Sequence, residues 1–112
     1  MRRGEVWWVD FGDPVGSEPG YRRPAVVVSA DRFNRSRIRT VMVAALTTSM
    51  RLAMMPGNVE LAVGDAGVPK ACVVNVTQTL VVDRDRLVEL VGVLTARLMD
   101  QVDVGLRLVL AL

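Results

Sequence analysis

Arg23 stands directly before Pro24. Proline fixes its own φ and pushes the residue before it toward an extended backbone, so this guanidinium leaves the chain from a defined position. Arginine presents paired N–H donors in a plane that matches phosphate oxygens. Thr47, Thr48 and Ser49 are successive hydroxyls, each able to donate to an anion. Asn75, Thr77 and Gln78 add polar groups to an otherwise valine-rich stretch. Together these residue types suit an anionic, hydrogen-bonding ligand. Taken singly, each has an ordinary structural role: an edge-strand cation, hydroxyls at a strand end, a side chain at a sheet rim. Arg22 competes with Arg23 for the same role, and Pro24 favours Arg23.

The residues that are missing narrow the chemistry. There is no histidine, which removes His-activated nucleophiles, His acid–base pairs and His metal ligands. The single cysteine, Cys72, cannot form an internal disulfide and fits a reducing cytoplasm. Its neighbours Val73 and Val74 mark it as a buried structural thiol rather than a reactive one. Of 14 basic residues 13 are arginine, and residues 1–56 carry 9 basic against 5 acidic side chains while residues 57–112 carry 5 against 7. GC-rich coding would account for arginine over lysine but not for this asymmetry. An arginine-rich half points to an anionic partner. No signal-peptide pattern opens the chain and no run approaches 18 uncharged apolar residues, so a cytoplasmic protein is expected.

The elements that must position these groups are mostly strands. The chain has 112 residues, 51% of them apolar, 23% charged and 4% aromatic, which predicts one domain over 1–112 with an aliphatic core. Its 22 valines lean it toward β structure. Strands are expected over 5–11, 23–30, 38–47, 58–63 and 72–82. In the first, Trp7 and Trp8 must point to opposite faces, one toward the core and one toward a groove, a partner or a dimer contact. Loops are expected over 12–22 and 48–57, and a polar turn or short helical turn over 31–37. The first loop is long for a hairpin, as functional loops often are. Asp83 can cap a helical segment over 84–88, and 89–94 can return as a small strand. Thr95 then caps a helix over 96–110 with an apolar stripe of Leu98, Val102, Leu106 and Val109. This order predicts a mainly β fold, a closed or nearly closed barrel with a packed C-terminal helix.

Five segments occur in order: Gly16-Ser17-Glu18-Pro19-Gly20, Arg22 to Val28, Val43-Ala44-Ala45-Leu46-Thr47, Met55 to Leu61, and Val73 to Gln78. With Arg3-Gly4-Glu5-Val6-Trp7 and the terminal helix, they closely resemble the MazF/PemK family of toxin–antitoxin endoribonucleases over nearly the whole chain. The resemblance implies an SH3-like barrel with a C-terminal helix, shared with the CcdB gyrase poisons. It implies a homodimer that cleaves single-stranded RNA at short sequences without metal or cofactor. It also implies neutralisation by a cognate antitoxin with an acidic disordered tail. By position, Arg23 matches the family's catalytic arginine, Thr47 its catalytic threonine, Gln78 an RNA-contacting residue, and Ser17 and Glu18 the loop over the substrate.

These residues fit RNA cleavage by the substrate's own 2′-OH. Attack on the adjacent phosphorus gives a 2′,3′-cyclic phosphate and a 5′-OH, and the enzyme must align the phosphate and stabilise its added charge. Arg23 and Thr47 can supply those donors. Arginine is a poor base at neutral pH, so Glu18 is the candidate base. RNA bases are read by stacking and edge hydrogen bonds, which brings in Tyr21 as a stacking candidate, with Arg22, Thr48, Ser49, Asn75 and Thr77. Asn75 stands where relatives often carry an apolar residue. The competing readings are a gyrase-inhibiting toxin without ribonuclease activity, a non-catalytic RNA-binding barrel, and a toxin that has lost activity. Leu108 to Leu112 suit a buried dimer interface.

Overall fold

The valine-rich segments resolve into six strands. The computed structural model describes residues 1–13, 16–17 and 21–112. The strands are β1 (Glu5–Asp10), β2 (Arg22–Val27), β3 (Thr40–Thr47), β4 (Val59–Leu61), β5 (Cys72–Asp83) and β6 (Leu87–Val93). They make one antiparallel sheet in the order β4-β5-β3-β2-β1-β6, curled into a half-barrel. A four-residue helix, α1 (Asp31–Asn34), joins β2 to β3, and α2 (Ala96–Leu110) follows β6. The mainly β barrel with a C-terminal helix is the architecture expected. The final strand is longer than the expected 89–94 and pairs with β1 along most of its length. The helical segment before it shrinks to a single turn over Arg84–Arg86, because β6 claims Leu87 for the sheet.

Both faces of the central strands are buried, which is why Ala25–Val28 and Val43–Leu46 read as unbroken aliphatic runs. One face carries Val6, Val26, Ala44, Leu46, Val74 and Val76, covered by Leu98 and Val102 of α2. The other carries Val9, Ala25, Val27, Val41 and Val43, beneath Trp7, Phe11, Leu80 and Val82. Each fully buried valine contributes on the order of 1.5–3 kcal/mol relative to exposure. β5 serves both cores because its pairing with β3 breaks. Between Ala44↔Thr79 and Leu46↔Val74, Ala45 alone faces residues 75–78. This irregularity inverts the alternation, so Val74 and Val76 join the first core while Leu80 and Val82 join the second.

Two glycines close the open side of the curl. A side-chain carbon at Gly92 would collide with the Ala66 carbonyl, and one at Gly67 with the Val91 carbonyl. Lacking Cβ atoms, both positions let the turn Asp65–Gly67 lie directly on β6. Helix α2 starts where the sequence placed it, with the Leu98 N–H donating to Thr95 Oγ1 at 3.3 Å. Its stripe differs at one position: Val109 is 40% exposed, and Gly105 holds the packed face instead. Gly105 packs directly on Gly57, whose carbonyl occupies the space a Gly105 Cβ would need.

Candidate active site

β2 and β3 bring the first candidates together. Their register pairs Ala25 with Ala45 and Val27 with Val43. Continued outward, it sets Arg23 across from Thr47. A cavity of about 330 Å³ opens there, lined by Arg23, Thr47, Thr48 and Ser49, with Pro24, Leu46 and Cys72 as its apolar wall. Arg23 is exposed and forms no ion pair among the described residues. The Thr47 hydroxyl accepts the Ser49 N–H at 3.2 Å. That bond occupies a lone pair and leaves the Thr47 O–H free to donate into the cavity. The cavity thus offers a fork of guanidinium donors and adjacent hydroxyls, a combination suited to a phosphate.

Alternation separates the two neighbouring arginines. Arg22 lies on the opposite face of β2, where its guanidinium sits 5.8 Å from the Trp8 ring centroid and its Nη2 donates to Glu89 at 3.3 Å. Arg22 is therefore occupied outside the cavity, and of the two arginines only Arg23 lines it. Trp8 is covered by that cation, while Trp7 packs on the second core. Tyr21 is 64% exposed and adopts a left-handed φ of 60°. Its N–H donates to the Gly12 carbonyl at 2.5 Å and its carbonyl accepts the Phe11 N–H at 2.8 Å, which closes the base of the loop. A non-glycine residue held in this region costs on the order of 1–3 kcal/mol and is common where a side chain must be aimed. Ser17 is exposed. Glu18 lies outside the described residues.

The β5 candidates form a second cluster, away from the cavity lining. Asn75 Oδ1 accepts from Thr77 Oγ1 at 2.9 Å and from Asn58 Nδ2 at 3.3 Å. With its acceptor occupied, Asn75 presents only N–H donors. Gln78 is half-buried and makes no side-chain hydrogen bond among the described residues.

The family model for PemK-like, MazF-like toxins of type II toxin–antitoxin systems matches residues 2–110. The chain is 44% identical to the endoribonuclease MazF6 of Mycobacterium tuberculosis, covering 100% of this chain and 98% of that protein. It is 35% identical to the endoribonuclease EndoA of Bacillus subtilis, covering 100% and 96%. The chain belongs to the PemK/MazF toxin family. A solved mycobacterial endoribonuclease in complex with its cognate antitoxin superposes with a TM-score of 0.82 at 26% identity, covering 100% of this chain and 96% of that one. None of these findings favours the gyrase-inhibitor alternative.

Two positions in this PemK/MazF chain escaped the sequence reading, and a third, Cys72, was read only as a buried thiol. Asn58 donates to the Leu52 carbonyl at 2.9 Å and accepts the Val76 N–H at 3.0 Å, so it ties the 48–57 loop to the β5 irregularity. The only sequence signal was an asparagine after Pro56-Gly57, a common turn composition. Gly105 lets that loop rest on α2. Cys72 is buried as expected, but it also forms part of the cavity wall. Burial pushes its thiol pKa up, and the nearby Asp65 adds to the shift. Among the described residues, no group of three or more His, Cys, Asp or Glu side chains is placed to hold a metal ion.

Proposed function

We propose that this toxin is a sequence-specific endoribonuclease acting on single-stranded RNA. The observation that carries the proposal is the Arg23–Thr47 cavity. In the proposed reaction the substrate's 2′-oxygen bonds to phosphorus and the P–O5′ bond breaks, leaving a 2′,3′-cyclic phosphate and a 5′-OH. Arg23 binds the non-bridging oxygens and neutralises the charge that builds on them, and the Thr47 O–H adds a further donor. Thr48 and Ser49 hold the same phosphate or its neighbour. Arginine is a poor base, so the 2′-OH proton goes to another group, and Glu18 is the proposed acceptor; the departing 5′-oxygen takes its proton from solvent. Asn75, Thr77 and Gln78 read bases, and exposed Tyr21 stacks on one. The reaction as written requires neither metal nor cofactor.

The active unit is proposed to be a homodimer. Leu108, Leu110 and Leu112 at the end of α2 are more than half exposed, beside a groove of about 450 Å³ that also includes Met42 and Leu106. A second copy covering this apolar surface accounts for it. A cognate antitoxin is proposed as the inhibitor, its acidic tail pairing with Arg23 in place of phosphate; the mycobacterial endoribonuclease was solved in complex with its cognate antitoxin. Cytoplasmic residence is proposed from the unpaired Cys72 and from the substrate.

The test is cleavage of a long mixed-sequence RNA in EDTA by wild type and Arg23→Ala, with the end groups identified. Discrete fragments with cyclic-phosphate and 5′-OH ends, lost in the variant, are expected. Intact RNA with both proteins would overturn the reading and leave the RNA-binding and gyrase-inhibitor alternatives.

A further inference from the structure

The arginine excess of the first half is not absorbed by the cavity. Arg32, Arg35, Arg37 and Arg39 fall within the turn that carries α1 and enters β3, and all four are exposed. None of them forms an ion pair among the described residues. Phe33, in their midst, is 54% exposed. This segment is held in place by Arg84. Its Nη2 donates to the Phe33 carbonyl at 3.1 Å and the Ser36 carbonyl at 3.3 Å, and its backbone N–H donates to the Arg39 carbonyl at 3.0 Å. A concavity of about 180 Å³ opens between the turn and Arg84–Arg86, lined by Arg37, Arg39, Arg84, Ser36, Asp83 and Asp85.

We propose that this turn is a second RNA-binding surface, which grips backbone phosphates with its arginines and stacks a base on Phe33. The proposal rests on the ribonuclease reading above. β3 spans the eight residues from Thr40 to Thr47, so at about 3.3 Å per residue the turn lies roughly 26 Å from the cavity along the strand. It therefore engages nucleotides that flank the cleaved bond. The acids nearby leave a net positive surface. Arg32, Arg35, Arg37, Arg39 and Arg84 outnumber the carboxylates of Asp31, Asp83 and Asp85 by five to three. An exposed aromatic ring among guanidinium groups is the combination that binds single-stranded nucleic acid irrespective of sequence. An acidic polypeptide would use the charges but has no base to lay on the ring.

The experiment compares wild type, the triple variant Arg32→Gln/Arg35→Gln/Arg37→Gln, and Phe33→Ala. The substrates are a short oligonucleotide holding little more than the cleaved sequence, and the same sequence inside a long RNA. On the short substrate all three proteins should have the same kcat and KM, which also shows that the variants fold. On the long RNA the triple variant should raise KM about tenfold with kcat unchanged. Its log KM against log salt should flatten by about 0.7 for each phosphate it no longer neutralises. Phe33→Ala should raise KM on the long RNA by a comparable factor, about tenfold, and leave the salt slope alone. Unchanged KM on long RNA, or equal losses on both substrates, would overturn the proposal. So would a variant that loses affinity for a polyglutamate peptide but not for RNA. If wild type cuts neither substrate, the ribonuclease reading fails. The surface is then judged by titrating the long RNA into wild type and triple variant, and equal affinities would overturn it.

Discussion

The Arg23–Thr47 cavity and the Asn75–Thr77 cluster are built on different kinds of backbone. Arg23 and Thr47 lie at the facing ends of the two central strands, which pair with each other in unbroken register over Ala25–Val27 and are buried on both faces there. Asn75 and Thr77 sit where β5 leaves its pairing with β3; Asn75 accepts from Asn58 and from Thr77, and Asn58 accepts the Val76 N–H. A regular ladder fixes a side chain's direction through many small interactions, so no single change disturbs it. An irregularity depends on a few specific bonds and can be re-aimed by changing one. Groups that must stabilise a developing charge belong on the first kind of backbone, and groups that choose among sequences belong on the second.

The largest effect should come from the cavity. Arg23→Ala should lower kcat by about 10²-fold or more, as for removal of an oxyanion donor. Its thermal unfolding should match wild type, because the side chain is exposed. Arg23→Lys should restore only part of the rate, since a point charge cannot fork onto two oxygens. A near-normal rate for Arg23→Ala would remove the distinction between the two regions. Thr47→Val should cost less, about tenfold, because one neutral donor is removed from a site that keeps its cation.

At the irregular region, the expected signature is altered choice of sequence. Asn58→Ala removes the acceptor of the Val76 N–H and the donor to the Leu52 carbonyl. It should destabilise the fold by about 1–3 kcal/mol in urea unfolding. Its rate at the best cleavage sequence should stay within a few-fold of wild type, while secondary sequences gain. Gly105→Ala tests the same loop from beneath, because its new methyl group would meet the Gly57 carbonyl. An overpacking cost of about 1–3 kcal/mol is expected, again with relaxed sequence choice. If either variant reduced kcat as severely as Arg23→Ala, the two regions would be one functional unit.

The same contrast decides what could be read from the sequence. Regular elements announce themselves through period and punctuation. The Thr95 cap, the 96–110 helix and the aliphatic central strands were legible, and Arg23, singled out by its proline, lines the cavity. Arg22 and Arg23 had to face opposite ways, yet nothing in the sequence says which face carries the cavity. The break in β5 depends on which residue of β3 each residue meets, a pairing that no local pattern encodes. The approaches of Gly57 to Gly105 and of Ala66 to Gly92 join distant segments, so each glycine looked like ordinary turn or helix composition.

The smallest prediction probes the cavity wall. Cys72 has a pKa raised by burial and by Asp65, so the folded state disfavours the thiolate relative to the unfolded chain. The stability tied to the neutral thiol is fully present below the unfolded pKa. It is lost as pH rises from there through the higher folded value. Wild-type stability should therefore decline above about pH 8.5, the ordinary thiol range, and Cys72→Ala should remove that decline. The comparison is of slopes, because the alanine also leaves a small cavity that lowers stability at every pH. A parallel fall in both proteins would assign the decline to other groups.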